Sequence, residues 1–140
     1  MSTPRPVEAF YERIWNRGEL AAAHELLTED FRFRGSLGEE MRGVDPFLDY
    51  ARRVREALAD YHCQVLDCVT EGDRAFAKMF FSGRHVAPFR GYTPTGERVG
   101  WHGAVFFRIA GGRIAELWAL GDLAGLDRVL AENASRGTPG

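Results

Sequence analysis

The sequence predicts an α+β fold in which helices pack on one face of a bent antiparallel sheet. Three observations predict it. Apolar residues recur at helical spacing in two segments before Ala59, they alternate with period two from Tyr61 onward, and turn signals separate four strands in direct succession. A helix layer over a strongly curved sheet leaves a space where the two surfaces diverge, and such a space is the default place for a ligand.

Val7, Phe10, Tyr11, Ile14 and Trp15 define a first helix, with Pro4 and Pro6 just upstream and Asn16-Arg17-Gly18 as its stop. A short second helix follows, from about Glu19 to Leu27. Phe31-Arg32-Phe33-Arg34 then alternates as a strand, which Gly35-Ser36-Leu37-Gly38 breaks. Phe47, Tyr50, Val54 and Leu58 mark one face of a long amphipathic helix from Val44 to Ala59. Strands Tyr61–Thr70 and Ala75–His85 meet at Glu71-Gly72-Asp73-Arg74, and Ala75, Ala77, Met79, Phe81, Gly83 and His85 share one face. Val86–Arg98, rich in Gly and Pro, is a flap-like loop. Strands Val99–Ile109 and Ile114–Leu120 form a hairpin around Gly111-Gly112, and Leu123–Glu132 closes the chain as a helix.

The 140 residues fit a single domain spanning residues 1–140, with residues 133–140 expected as a flexible tail. Hydrophobic residues at 45% and charged residues at 27% are the balance of a globular chain. A net charge of −2, with the basic residues scattered, leaves no field to attract nucleic acid. No apolar run approaches the roughly 20 residues that span a bilayer, and the first residues lack a secretory h-region, so a cytoplasmic protein is expected. Cys63 and Cys68 fall on opposite parities of one strand, which places them on opposite faces as buried thiols and not as a disulfide.

The residues that could carry chemistry are few. Asp122 ends the last strand beside Trp118, Leu120 and Leu123, where partial desolvation would raise a carboxyl pKa toward a value useful for proton transfer. The same position is the N-cap of the closing helix, so both readings stand. His85 occupies the apolar parity of its strand immediately before the flap; it faces either the pocket mouth, as a proton donor or acceptor, or the core, as a neutral histidine. His102 alternates against Trp101 and Val105 and should face away from the cavity. Phe33, Tyr50, Trp101 and Trp118 are the large rings expected on inward faces, as a flat apolar lining for a substrate or as plain core. A Gly-x-Ser-x-Gly elbow, a phosphate-binding loop and a clustered His/Glu metal set are all absent from the sequence.

Phe10-Tyr11-Glu12-Arg13-Ile14-Trp15-Asn16-Arg17-Gly18-Glu19-Leu20, Ser82-Gly83-Arg84-His85, Gly91-Tyr92-Thr93-Pro94-Thr95-Gly96, and Gly112-Arg113-Ile114-Ala115-Glu116-Leu117-Trp118 through Asp122 follow one another along nearly the whole chain. In that order they resemble the SnoaL-like polyketide cyclases, often called ester cyclases, of the NTF2-like superfamily. The resemblance implies a cone-shaped barrel, usually a homodimer, whose curved sheet holds helices on its concave face and lines a pocket for a hydrophobic, polyketide-like small molecule. It implies an intramolecular aldol condensation that needs no metal and no cofactor, with Asp122 as the acid/base group and His85, in the Gly-x-His segment, assisting. The superfamily also holds ketosteroid isomerases, epoxide hydrolases and members without catalysis, so a different reaction in the same cone, or a plain ligand-binding or dimerisation module, are the alternatives.

Overall fold

Pro6 in the first turn and a run of apolar residues start the chain as helix α1 (Arg5–Ala9), which widens into a π-helical stretch (Phe10–Asn16). The wider winding is seen in the bond that the Arg17 amide donates to the Glu12 carbonyl, 3.0 Å away and five residues back. A 3₁₀ turn (Leu20–Ala22) and the short helix α2 (Ala23–Leu26) lead into strand β1 (Leu27–Arg34). The computed structural model describes residues 3–137. Strand β2 (Glu40–Arg42), helix α3 (Val44–Ala57), strands β3 (Leu58–Glu71), β4 (Arg74–His85), β5 (Arg98–Ala110) and β6 (Arg113–Gly121), and helix α4 (Leu123–Gly137) complete the described chain.

All six strands form one sheet in the order β2-β1-β6-β5-β4-β3. The expected antiparallel succession holds from β3 to β6, where short turns force each strand to return beside the last. The sheet as a whole is mixed, because β1 runs parallel to β6. Those two strands are separated by most of the chain, so no hairpin dictates their direction. Strand β2 is too short to show an alternation, and the sequence reading missed it.

Helix α4 continues to Gly137, and Asn133 is buried with its side-chain amide donating to the Arg98 carbonyl at 3.3 Å; residues 138–140 of the expected tail lie outside the described residues. One other expectation changes. Cys63 and Cys68 are both buried free thiols on the inner side, because β3 shifts register between Val65 and Asp67. An extra residue in a strand reverses the parity of everything beyond it.

The core lies between the concave side of the sheet and the helices α1 and α3. Phe47 of α3 is its hub, with ring centroids at 5.7 Å from Phe10, 5.8 Å from Trp15, 5.5 Å from Phe31 and 4.9 Å from Phe33. Most of these pairs meet edge to face, the arrangement that aromatic quadrupoles favour. Among the described residues no helix is long and apolar enough to cross a membrane.

Candidate functional site

An internal chamber opens where the π-helical stretch, α3 and the concave face of the sheet converge. Phe10, Tyr11 and Trp15 come from the first helix, Phe33, Gly35 and Ser36 from the end of β1, and Tyr50 from α3. Tyr61, Cys63, Phe81, Val105, Leu117 and Ala119 rise from the inner face of the sheet. The rings fill most of it. About 320 Å³ of empty space lies at the site, part of it open to solvent, but the centres of water-sized molecules have only about 20 Å³, room for about one water.

The polar side-chain groups of the lining are phenols, the Trp15 indole N–H, one thiol and one hydroxyl. Ser36 Oγ accepts a bond from Trp101 Nε1 at 3.1 Å, and the Tyr61 hydroxyl interacts with the Cys63 thiol. The Tyr11 hydroxyl is buried with no protein partner. Burial pushes the pKa values of Tyr11, Tyr50 and Tyr61 up, so all three stay protonated as donors at neutral pH. Burial likewise pushes the Cys63 thiol up, which makes it a poor nucleophile. No carboxylate and no imidazole lines the chamber.

The expected site residues divide. Phe33 and Tyr50 line the chamber, 5.3 Å apart between ring centroids. Trp101 is buried one layer beyond, stacked near Phe81 and Tyr61 and tied to the lining through Ser36. Trp118 does not face inward: it is 45% exposed on the convex side, with the Arg34 guanidinium 5.5 Å from its ring. Strand β6 is apolar at both parities, and Leu117 and Ala119 take the inner positions.

His85 is fully buried beneath the flap, 6.1 Å from the Phe89 ring, and it lies outside the lining shell. Neither ring nitrogen has a hydrogen-bond partner in the described structure. Burial lowers its pKa below the ordinary imidazole value, opposed by the nearby backbone of Tyr92 and Ala87. The flap above it is held by the His85 amide donating to the Glu97 carbonyl at 2.9 Å, by the Gly96 amide donating to the His85 carbonyl at 2.8 Å, and by a two-pronged ion pair from Arg90 to Asp127 of α4 at 2.8 and 3.0 Å.

Asp122 is exposed and not turned into the chamber. Its Oδ1 accepts the Gly125 amide at 2.9 Å, and it starts α4, whose free N–H groups compete successfully for the carboxylate. It nevertheless sits next to the lining: at Gly121, one residue earlier, any Cβ would collide with the Ser36 carbonyl. His102 faces outward as expected, packed 4.9 Å from Phe80. The sequence reading did not single out Tyr11 and Tyr61 as chamber residues; Tyr11 was visible only as one of several helical core positions. Among the described residues no group of three or more His, Cys, Asp or Glu could hold a metal ion.

A curved sheet closed by helices around a buried, ring-lined chamber defines the NTF2-like class of α+β barrels. The family model of SnoaL-like polyketide cyclases matches residues 6–130, and the chain belongs to that family. Among solved structures it is similar to TsrD from Streptomyces laurentii, with 30% identity and a TM-score of 0.77 over 93% of this chain and 98% of that one. It shares the fold of a candidate polyketide cyclase from Acidithiobacillus ferrooxidans, with 20% identity and a TM-score of 0.82 over 96% of this chain and 100% of the other. An LEH-like epoxide hydrolase of M. tuberculosis has the same fold, with 15% identity and a TM-score of 0.76 over 96% and 88% of the two chains. Among curated proteins none matches.

Proposed function

We propose that this chain is a cofactor-independent cyclase of the SnoaL-like kind, acting in the cytoplasm on a hydrophobic, polyketide-like small molecule. The observation that carries the reading is the chamber: a partly open space with apolar ring walls and neutral hydroxyl donors, in a member of this family. Once the rings part to admit a substrate larger than the single water they now accommodate, such walls fold a flexible chain so that its two reacting carbons meet, which lowers the entropic part of the barrier. In the aldol step a base removes a proton from carbon between two carbonyls. The enolate carbon then bonds to the carbon of a third carbonyl farther along the same molecule, and the oxygen of that carbonyl takes up a proton. Hydroxyl donors around the chamber stabilise the oxygen on which negative charge develops.

Proton transfer falls to Asp122 in this reading, with His85 assisting once the flap lifts. Asp122 must first leave its cap, and a capping bond contributes only about 1 kcal/mol, so a bound substrate can draw the carboxylate past Ser36. The test is Asp122→Asn, assayed with a panel of 1,3-dicarbonyl esters that carry a further ketone in the same chain, for a cyclised product of unchanged mass. Asn caps a helix as well as Asp does, so the variant should fold normally and lose at least about a hundredfold in turnover. Full turnover by that variant would refute Asp122 as the acid/base group. No product from any ester would favour the second reading, a non-catalytic ligand-binding module, which the tight ring packing supports.

The assembly in this proposal is a homodimer joined through the convex face of the sheet. Val69, Phe76, Phe106 and Trp118 are register partners there, forming an apolar row across β3, β4, β5 and β6. Val69, Phe76 and Trp118 are 53%, 46% and 45% exposed, and a row of this kind marks an interaction surface.

A further inference from the structure

We propose that the groove outside the chamber, between α3 and the flap, is a second ligand subsite that takes the carboxylate end of an amphipathic acid on Arg53. The turn after β1 separates two spaces: Gly35 and Ser36 face the chamber, whereas Leu37 and Glu39 face the groove. Tyr50 of α3 belongs to both walls, so one ring divides them. It can close the partition because residue 35 is glycine, where a Cβ would lie 2.8 Å from the Phe33 ring and 3.0 Å from the Tyr50 hydroxyl. Beyond that ring the centres of water-sized molecules have about 340 Å³, against about 20 Å³ in the chamber, so the groove is already open to an organic group.

The lining decides the chemistry. Val54, Ala57 and Phe89 give the groove an apolar floor, and its charges are the guanidinium groups of Arg53 and Arg90 and the carboxylate of Glu39. Arg90 is fixed: both Asp127 oxygens accept from it, and its backbone holds a φ of 50° ahead of Gly91 at 83°, a turn that Asn-Gly would form with less strain. It therefore stays as a standing positive charge. Arg53 is exchangeable, since it meets Glu39 through one nitrogen at 3.4 Å with both side chains more than half exposed. A ligand carboxylate can replace Glu39 with two parallel bonds to that guanidinium, in the same groove as the Arg90 charge. A ligand cation pairs with Glu39 alone and faces both arginines. The proposal rests on the cyclase reading only for the identity of the molecule, a substrate whose reacting carbonyls enter past Tyr50 while its acid group stays outside.

Calorimetric titration compares 4-phenylbutyrate, 4-phenylbutyramide and 4-phenylbutylamine on wild type, Arg53→Met and Glu39→Gln, with a thermal melt of each protein. Wild type should bind the acid at least about tenfold more tightly than the amide or the amine, and Arg53→Met should lose about tenfold for the acid alone. Glu39→Gln removes the competitor, so it should bind the acid about threefold more tightly than wild type. Both positions are exposed, so the melts should coincide. Equal binding of acid and amide, preference for the amine, or no binding by wild type overturns the proposal. An acid affinity that either variant leaves unchanged overturns it as well. Selective acid binding with no cyclised product from the ester panel leaves this subsite standing and removes only the cyclase reading. Cyclisation by a protein that binds acid and amide alike removes the subsite alone.

Discussion

The two faces of the sheet carry nearly the same residue types and meet different fates. On the concave side Phe33, Phe81, Trp101 and Phe107 are buried, Phe33 and Phe107 against helical rings, while on the convex side Phe76 and Trp118 stand about half exposed with Phe106 between them. Composition therefore does not decide which aromatic ring lines a site. Strand parity decides it, and parity is reset wherever a bulge adds a residue. The inner rings have partners from the π-helical stretch and α3, whereas at one end of the outer row the Arg34 guanidinium lies over Trp118.

This contrast can be broken first at its strongest point. Phe47→Ala should remove the hub of the inner cluster and destabilise the chain by about 3–5 kcal/mol, read as a lower midpoint in urea. A loss below about 1 kcal/mol would mean that the rings repack freely and that the inner face is no more committed than the outer one. On the convex side, Phe76→Lys should shift stability by less than about 1 kcal/mol. The same change should weaken self-association at least about tenfold, measured by sedimentation. A wild type that sediments as a monomer would dissolve the distinction from the other direction.

The smallest effect sharpens it by pH. The folded pKa of His85 lies below its unfolded value, so the unfolded chain takes up the proton more readily. Its contribution to stability is complete above the unfolded value of 6.5 and is lost as pH falls from there toward the lower folded value. His85→Leu should flatten the decline in melting temperature between about pH 7 and pH 5. An identical decline in the variant would assign the acid sensitivity to other groups.

The fold was largely legible in the sequence because its signals are local. Periodicity located α3 and the four strands from β3 to β6, and Gly111-Gly112 placed the last hairpin. The parallel pairing of β1 with β6 was not legible, since it depends on a contact between distant segments. The site was less legible for two reasons. Trp118 was read inward because β6 offers apolar residues on both parities, and only its register with β5 decides between them. Asp122 carried two meanings in sequence, and the geometry of Gly125 shows the capping one realised in this arrangement. Tyr11 gave no signal beyond its helical spacing, because an absent partner is a property of three dimensions.

The π-helical winding between Phe10 and Asn16 makes the chamber adjustable in one step. Losing a single residue there would tighten that coil to ordinary pitch and swing its neighbours by about 100° around the axis. Trp15 and Tyr11 would then exchange places with different side chains while the sheet stayed as it is. A one-codon deletion is thus a route by which this scaffold could acquire a new cavity shape without relearning how to fold.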